Sequence, residues 1–145
     1  MPARGFAIVV GSLFVLFGVL GFVPHLVVYP LPSPSSPHSI LVEGGYGALF
    51  GIFPVNYVRD VVQIIIGLLG LAAAGSIPSA RVWNRGVFFY CAAVLLLGIL
   101  PWTRTFFGVM PIFGWNVGFH FMIAMLSYYF AFIYPLDCQQ PELAR

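Results

Sequence analysis

The chain contains no lysine, and only 7% of its 145 residues are charged, six arginines against four acidic residues. A soluble domain carries about 25% charged residues, so composition excludes an ordinary water-exposed surface and predicts a membrane protein. Cysteine is almost as scarce. Cys91 lies in an apolar run and Cys138 near the C-terminal end, which gives neither a disulfide framework nor a thiolate metal spacing. Cys91 reads as a small hydrophobe. The sequence also lacks a Gly-x-Ser-x-Gly elbow, a His-Glu-x-x-His pair, a cluster of paired acids and a phosphate loop, and it therefore reads as non-enzymatic. A formal net charge of +2, dispersed along the chain, offers no footprint for nucleic acid. His25, His38 and Glu43 fall in one loop region, but their irregular spacing makes no metal site.

What the chain does have is apolar sequence: 61% hydrophobic residues, 17% aromatic, with 16 glycines and 12 prolines. A spanning helix needs about 20 mainly apolar residues. Four segments qualify, at residues 6–23, 57–74, 87–100 and 115–134, the short third one extended by flanking Trp83 and Trp102. The first run resembles a signal peptide but is longer than the usual apolar core and has no small-residue cleavage site after it, so it reads as a retained helix. The expected architecture is an all-α integral membrane protein, one domain over residues 1–145, a four-helix bundle with a long outward loop at residues 24–56. Arg4, Arg81, Arg85 and Arg145 fall at one end of the spans and Arg104 at the other. The positive-inside bias then predicts that both termini are cytoplasmic. In the long loop, residues 29–39 are proline-rich and read as extended chain, either a cap over the bundle or a contact for a partner, and residues 40–51 as a short interfacial or re-entrant helix.

An internal repeat organises the polar residues. FGIFPVNYVRDVVQ (50–63) aligns without gaps on FGVMPIFGWNVGFH (107–120), matching Phe50 with Phe107, Gly51 with Gly108, Pro54 with Pro111 and Gln63 with His120. GFVP (21–24) is echoed by GILP (98–101). The pattern predicts two related helical hairpins. In the second span Asp60, Gln63, Gly67, Gly70 and Ala74 share one face, and in the fourth Asn116, His120, Ala124, Ser127 and Ala131 do. In lipid, helices associate through small residues and interhelical hydrogen bonds, so these faces should point inward. Asn56 is the expected N-cap of the second span, with Arg59 snorkelling or pairing with Asp60, and Asn116 a similar cap for the fourth. Gln63 and His120, at equal depth, should bond to each other or to backbone carbonyls.

His120 is also the one histidine inside a span, and as an axial ligand it would bring a chlorin or haem pigment, with Gln63 at the equivalent position. Phe53, Pro54 and Asn56, then Gly67, Gly70 and Leu71, with the later WNVGFHF (115–121), carry a resemblance. Over residues 48–134 the chain resembles an uncharacterised bacterial family of four-span membrane proteins that carries a domain of unknown function. Its second helix opens with Phe-Pro-x-Asn, continues through a His-Asn pair and a further His, and reaches Gly-x-x-Gly-Leu. The family's histidine positions read Arg59 and Gln63 here, which removes the paired histidines a haem would use. The resemblance implies a fold and no activity. The expected role is a non-catalytic auxiliary subunit of a larger membrane complex, one of energy conversion among the candidates, in a bacterial inner or intracytoplasmic membrane. The alternatives are a binder of a hydrophobic cofactor or lipid through His120, and a small oligomeric transporter.

Overall fold

The computed structural model describes residues 2–29 and 40–134. Among them are four helices: α1 (Pro2–Leu20), α2 (Tyr57–Ala73), α3 (Ile77–Ile99) and α4 (Trp115–Tyr128), the last running on into a π-turn at Tyr129–Ile133. Three helical segments, Ala3–Leu20, Ile77–Ile99 and Trp115–Ile133, are long and apolar enough to cross a membrane. α2 has 17 residues, fewer than the about 20 a perpendicular span uses.

The chain is mostly helical but not all-α. Three short strands, β1 (Val27–Val28), β2 (Gly47–Leu49) and β3 (Phe53–Val55), form an antiparallel sheet between α1 and α2. Leu49 pairs with both Val27 and Phe53. β2, the middle strand, stands where residues 40–51 read as a short interfacial or re-entrant helix. Strands of two or three residues are too brief to show an alternating pattern, and Pro54 inside β3 argues against a strand in sequence. Packing decides the matter: Val27, Leu49 and Val55 are buried together and covered by Phe17, Leu20 and Phe53. The proline-rich stretch at 30–39 lies outside the described residues, as do Cys138 and Arg145.

Helix boundaries follow capping chemistry. The Asn56 side chain accepts a hydrogen bond from the Arg59 amide at 3.0 Å, capping α2, and Asp60 sits in the first turn, where the helix dipole favours an acid. α3 begins ten residues before the apolar run at 87–100. Ser76 caps it through the Ser79 amide, and Pro78 occupies its first turn. Arg81 and Arg85 therefore belong to a helix and not to a loop, and Arg85 lies 5.7 Å over the Phe132 ring. α3 stops at Leu100, whose extended backbone suits a residue before proline. α4 is capped by Gly114 at φ 65°, without a side-chain bond. Asn116 is not that cap, because its side chain is engaged elsewhere, as described below.

α1 packs most extensively on α2 and α3 on α4. The α1–α2 seam is made of glycine. A β-carbon on Gly11 would stand 2.8 Å from the Gly67 carbonyl oxygen, and one on Gly67 would stand 2.5 Å from that of Gly11. One on Gly18 would stand 2.6 Å from the Asp60 carbonyl. Gly70, one turn beyond Gly67, faces the Trp83 indole of α3. The central core joins Phe6, Val10 and Phe14 of α1, Val87 and Cys91 of α3, and Ile123 and Ala124 of α4.

Candidate functional site

Asn56, Arg59, Asp60, Gln63, Asn116 and His120 are all buried, and so are Gly67 and Gly70. Four of the polar side chains form one network where the loops meet the starts of α2 and α4. Arg59 does not snorkel. Its Nη2 donates to Asn116 Oδ1 at 2.7 Å, and its Nη1 lies 3.4 Å from Asp60 Oδ1. The Asn116 amide nitrogen donates to the Pro54 carbonyl at 2.8 Å and to the Pro111 carbonyl at 3.3 Å. Asn56 works in the same way. Besides capping α2, its Nδ2 donates to the Val109 carbonyl at 2.8 Å and the Val42 carbonyl at 3.2 Å. The Leu41 and Val42 amides both donate to the Gly108 carbonyl. Two asparagines thus tie the chain before β2, the 105–112 loop and the starts of both helices into one unit. Each uses its carbonyl and its NH₂ group, so that neither leaves a polar atom exposed to an apolar interior.

The residues aligned in sequence are related in geometry. Phe50 and Phe107 have φ of 54° and 57°, and Gly51 and Gly108 have 70° and 86°. Pro54 and Pro111 present their carbonyls to the same amide, and Arg59 and Asn116, at the same offset, bond each other. A bulky residue at positive φ is a genuine outlier. Hydrogen bonds close the two turns: the Phe50 amide donates to Leu26 and the Gly51 amide to Ala48, and the Phe106 amide donates to Thr103 and the Gly108 amide to Thr105.

Gln63 and His120 do not bond to each other. His120 Nδ1 lies 2.7 Å from the Asn116 carbonyl, which can only accept, so Nδ1 carries the proton and Nε2 is left an acceptor. That Nε2 is buried and finds no partner among the described residues, and the same holds for both polar atoms of the Gln63 amide, Asp60 Oδ2 and Ser127 Oγ. A proton on Nδ1 held by a carbonyl is the usual orientation for an axial histidine, yet the surroundings do not fit a tetrapyrrole. Nε2 is enclosed by protein, with the Phe119, Tyr90 and Phe14 rings 5.6, 5.9 and 6.3 Å from the imidazole. A flat macrocycle on Nε2 would have to displace them. Among the described residues no three His, Cys, Asp or Glu side chains gather as a metal site.

Further polar ties lie away from this network, and sequence reasoning missed them. Arg4, inside α1, donates through Nε to the Ala74 carbonyl at the end of α2 at 2.6 Å. Buried Asn84 donates to the Ala3 carbonyl at 3.3 Å, and the Trp83 indole donates to the Ile66 carbonyl at 3.2 Å. The available signal was the Ser76–Pro78 start of α3, which places Trp83 and Asn84 on a helix. Beside Trp83, between α2 and α3, lies an apolar groove of about 370 Å³ lined by Ile66, Leu69, Val82, Gly86, Val87 and Tyr90.

These features define a class: a mostly helical membrane protein with a polar network closing one end of its bundle. The chain belongs to the family of a domain of unknown function, DUF4383, whose model matches residues 4–133. No curated protein and no solved structure matches it.

Proposed function

We propose that the protein is a non-catalytic four-span bundle that serves as an auxiliary subunit of a larger membrane assembly, with the loop end as its contact surface. One observation carries this reading. The polar side chains at that end bind the protein's own loops, and the rigid rim they make presents large apolar side chains outward. Leu41 is 74% exposed, Trp102 65%, Phe107 64% and Phe50 50%. Two of these, Phe50 and Phe107, hold a backbone conformation that glycine or asparagine adopts more easily. Phenylalanine there is a poor choice for stability and a good one for recognition. Gly51 and Gly108 follow them at positive φ and repeat the turn.

In this reading α2 is the fourth span, tilted or thinning the bilayer locally to match its length. The shared turn geometry supports two related hairpins. Arg4, Arg81 and Arg85 gather at the end opposite the rim, which supports cytoplasmic termini in a bacterial inner or intracytoplasmic membrane. Labelling of Cys138 with an impermeant maleimide should then occur only from the cytoplasmic face of sealed vesicles. Labelling from the opposite face would reverse the orientation.

The partner test is purification of the tagged protein from its own host in mild detergent, with co-purifying proteins identified by mass spectrometry. Wild type should bring down a stoichiometric membrane complex. The double variant Phe50→Asn/Phe107→Asn should lose that complex while melting at the same temperature or higher, because asparagine relieves the left-handed strain. Recovery of wild type alone, or of the same complex with the variant, would refute the rim as the contact.

A further inference from the structure

We propose that the interior between α2 and α4 is a water-binding site, built by Gln63 and His120 one turn below the Arg59–Asn116 bond, with Asp60 at the level of that bond. The inference is independent of any partner at the rim.

The placement follows from one hydrogen bond. Arg59 and Asn116 are bonded, and α2 and α4 both start at that end, so the two helices run in parallel from a fixed point. Four residues on, each helix has made about one turn, which brings the side chain back to the same face. The residues there are Gln63 and His120, 1% and 3% exposed. α1 packs along the same part of α2: its Gly18 lies against Asp60 and Ile64 and its Gly11 against Gly67. The Phe14 ring, between those glycines, lies 6.3 Å from the His120 imidazole. Asp60 lies on the same face of α2, one turn above Gln63.

The chemistry of the unpartnered atoms selects the ligand. Asp60 Oδ2, Gln63 Oε1 and His120 Nε2 accept, the last because Nδ1 carries the proton to the Asn116 carbonyl. Gln63 Nε2 donates. An anion would face three acceptors. A metal cation would leave the Gln63 donor unmatched. Water both donates and accepts, and is the smallest ligand that does so, in a setting where the Phe14, Tyr90 and Phe119 rings exclude a macrocycle. Buried waters make about three hydrogen bonds each, so about two molecules satisfy these groups. Ser127, two turns below His120 on the same face of α4 and also unpartnered, extends the polar line inward.

The test is infrared difference spectroscopy of the protein reconstituted in lipid, comparing ordinary water with H₂¹⁸O, together with thermal melting of Gln63→Met and His120→Phe. Both replacements keep approximate volume and remove hydrogen-bonding groups. Wild type should show an internal-water O–H stretching band that shifts in H₂¹⁸O. The band should be lost in both variants, neither of which melts higher than wild type. A dry interior predicts that Gln63→Met melts higher, since both polar atoms of the amide it replaces are then unsatisfied. Absence of an isotope-sensitive band in wild type overturns the proposal. So does a band that both variants retain, or a raised melting temperature of Gln63→Met. The wild-type isotope measurement stands even where a variant fails to fold.

Discussion

Replacing Gly67 with leucine will force α1 away from α2 and lower thermal stability more than any other glycine substitution on α2. The first atom added, Cβ, already stands 2.5 Å from the Gly11 carbonyl oxygen and 2.7 Å from the Val15 amide nitrogen. These are backbone atoms on a packed helix and have no rotamer into which to retreat. Overpacking of a well-filled core costs about 1–3 kcal/mol and occasionally more, and a clash between two backbones belongs at the upper end. Gly70→Leu is the informative comparison. The three atoms nearest its Cβ all belong to the Trp83 indole, a side chain that can swing into the neighbouring groove at the cost of its bond to Ile66. The two substitutions, three residues apart and chemically identical, should therefore differ, with Gly70→Leu the milder. Gly86→Ala and Gly118→Ala, where a Cβ meets nothing within 4 Å, should be neutral or slightly stabilising. Melting of the purified variants in one detergent checks the series. Equal losses for Gly67→Leu and Gly70→Leu would sink the glycine seam.

The second large effect is expected at Arg59. Arg59→Met removes the ion-pair partner of a fully buried Asp60 and the donor to Asn116 in one step. Breaking a buried pair from one side costs about 3–5 kcal/mol, because the remaining charge is left uncompensated. Asp60 has nowhere to turn: its carboxyl lies against Gly21, and Oδ2 has no protein partner among the described residues. The charge itself is the damaging element, so Asp60→Asn in the Arg59→Met background should recover part of the loss. A double variant no more stable than Arg59→Met alone would show that the packing of the guanidinium, and not its charge, matters at this position. Unchanged melting of the single variant would remove the pair from the account of stability.

The contrast between Gly67 and Gly70 shows how far sequence carries. Periodicity alone puts both glycines on an inward face of α2, and both are buried. It does not say that one meets α1 and the other α3, because that depends on the crossing of helices. Arg59 is a similar case. Its neighbour Asp60 is visible in sequence, but Asn116 lies 57 residues away, and only the alignment of 50–63 on 107–120 hints that the two positions are related. The start of α3 was legible from Ser76 and Pro78 but hidden from hydropathy by Arg81, Asn84 and Arg85, which dilute the apolar signal across its first turns. The sheet was not legible. Its strands are held by pairing with distant segments and by burial under α1, and residues 47–55 in isolation are rich in glycine and contain a proline. The repeat puts Gln63 and His120 at equal depth and leaves two partners open, each other or a backbone carbonyl; His120 takes the carbonyl of Asn116 on its own helix, a choice that periodicity does not make.

Asn116 has a consequence for how such a chain can change its length. Its amide reaches two carbonyls, Pro54 and Pro111, one five residues before Arg59 and the other five residues before Asn116 itself. A carboxamide has no slack, so a residue inserted in either interval carries one carbonyl out of reach and strands a buried donor. Both five-residue intervals are therefore locked in length. The two halves of the bundle are free to diverge in side chains while remaining metrically bound to each other.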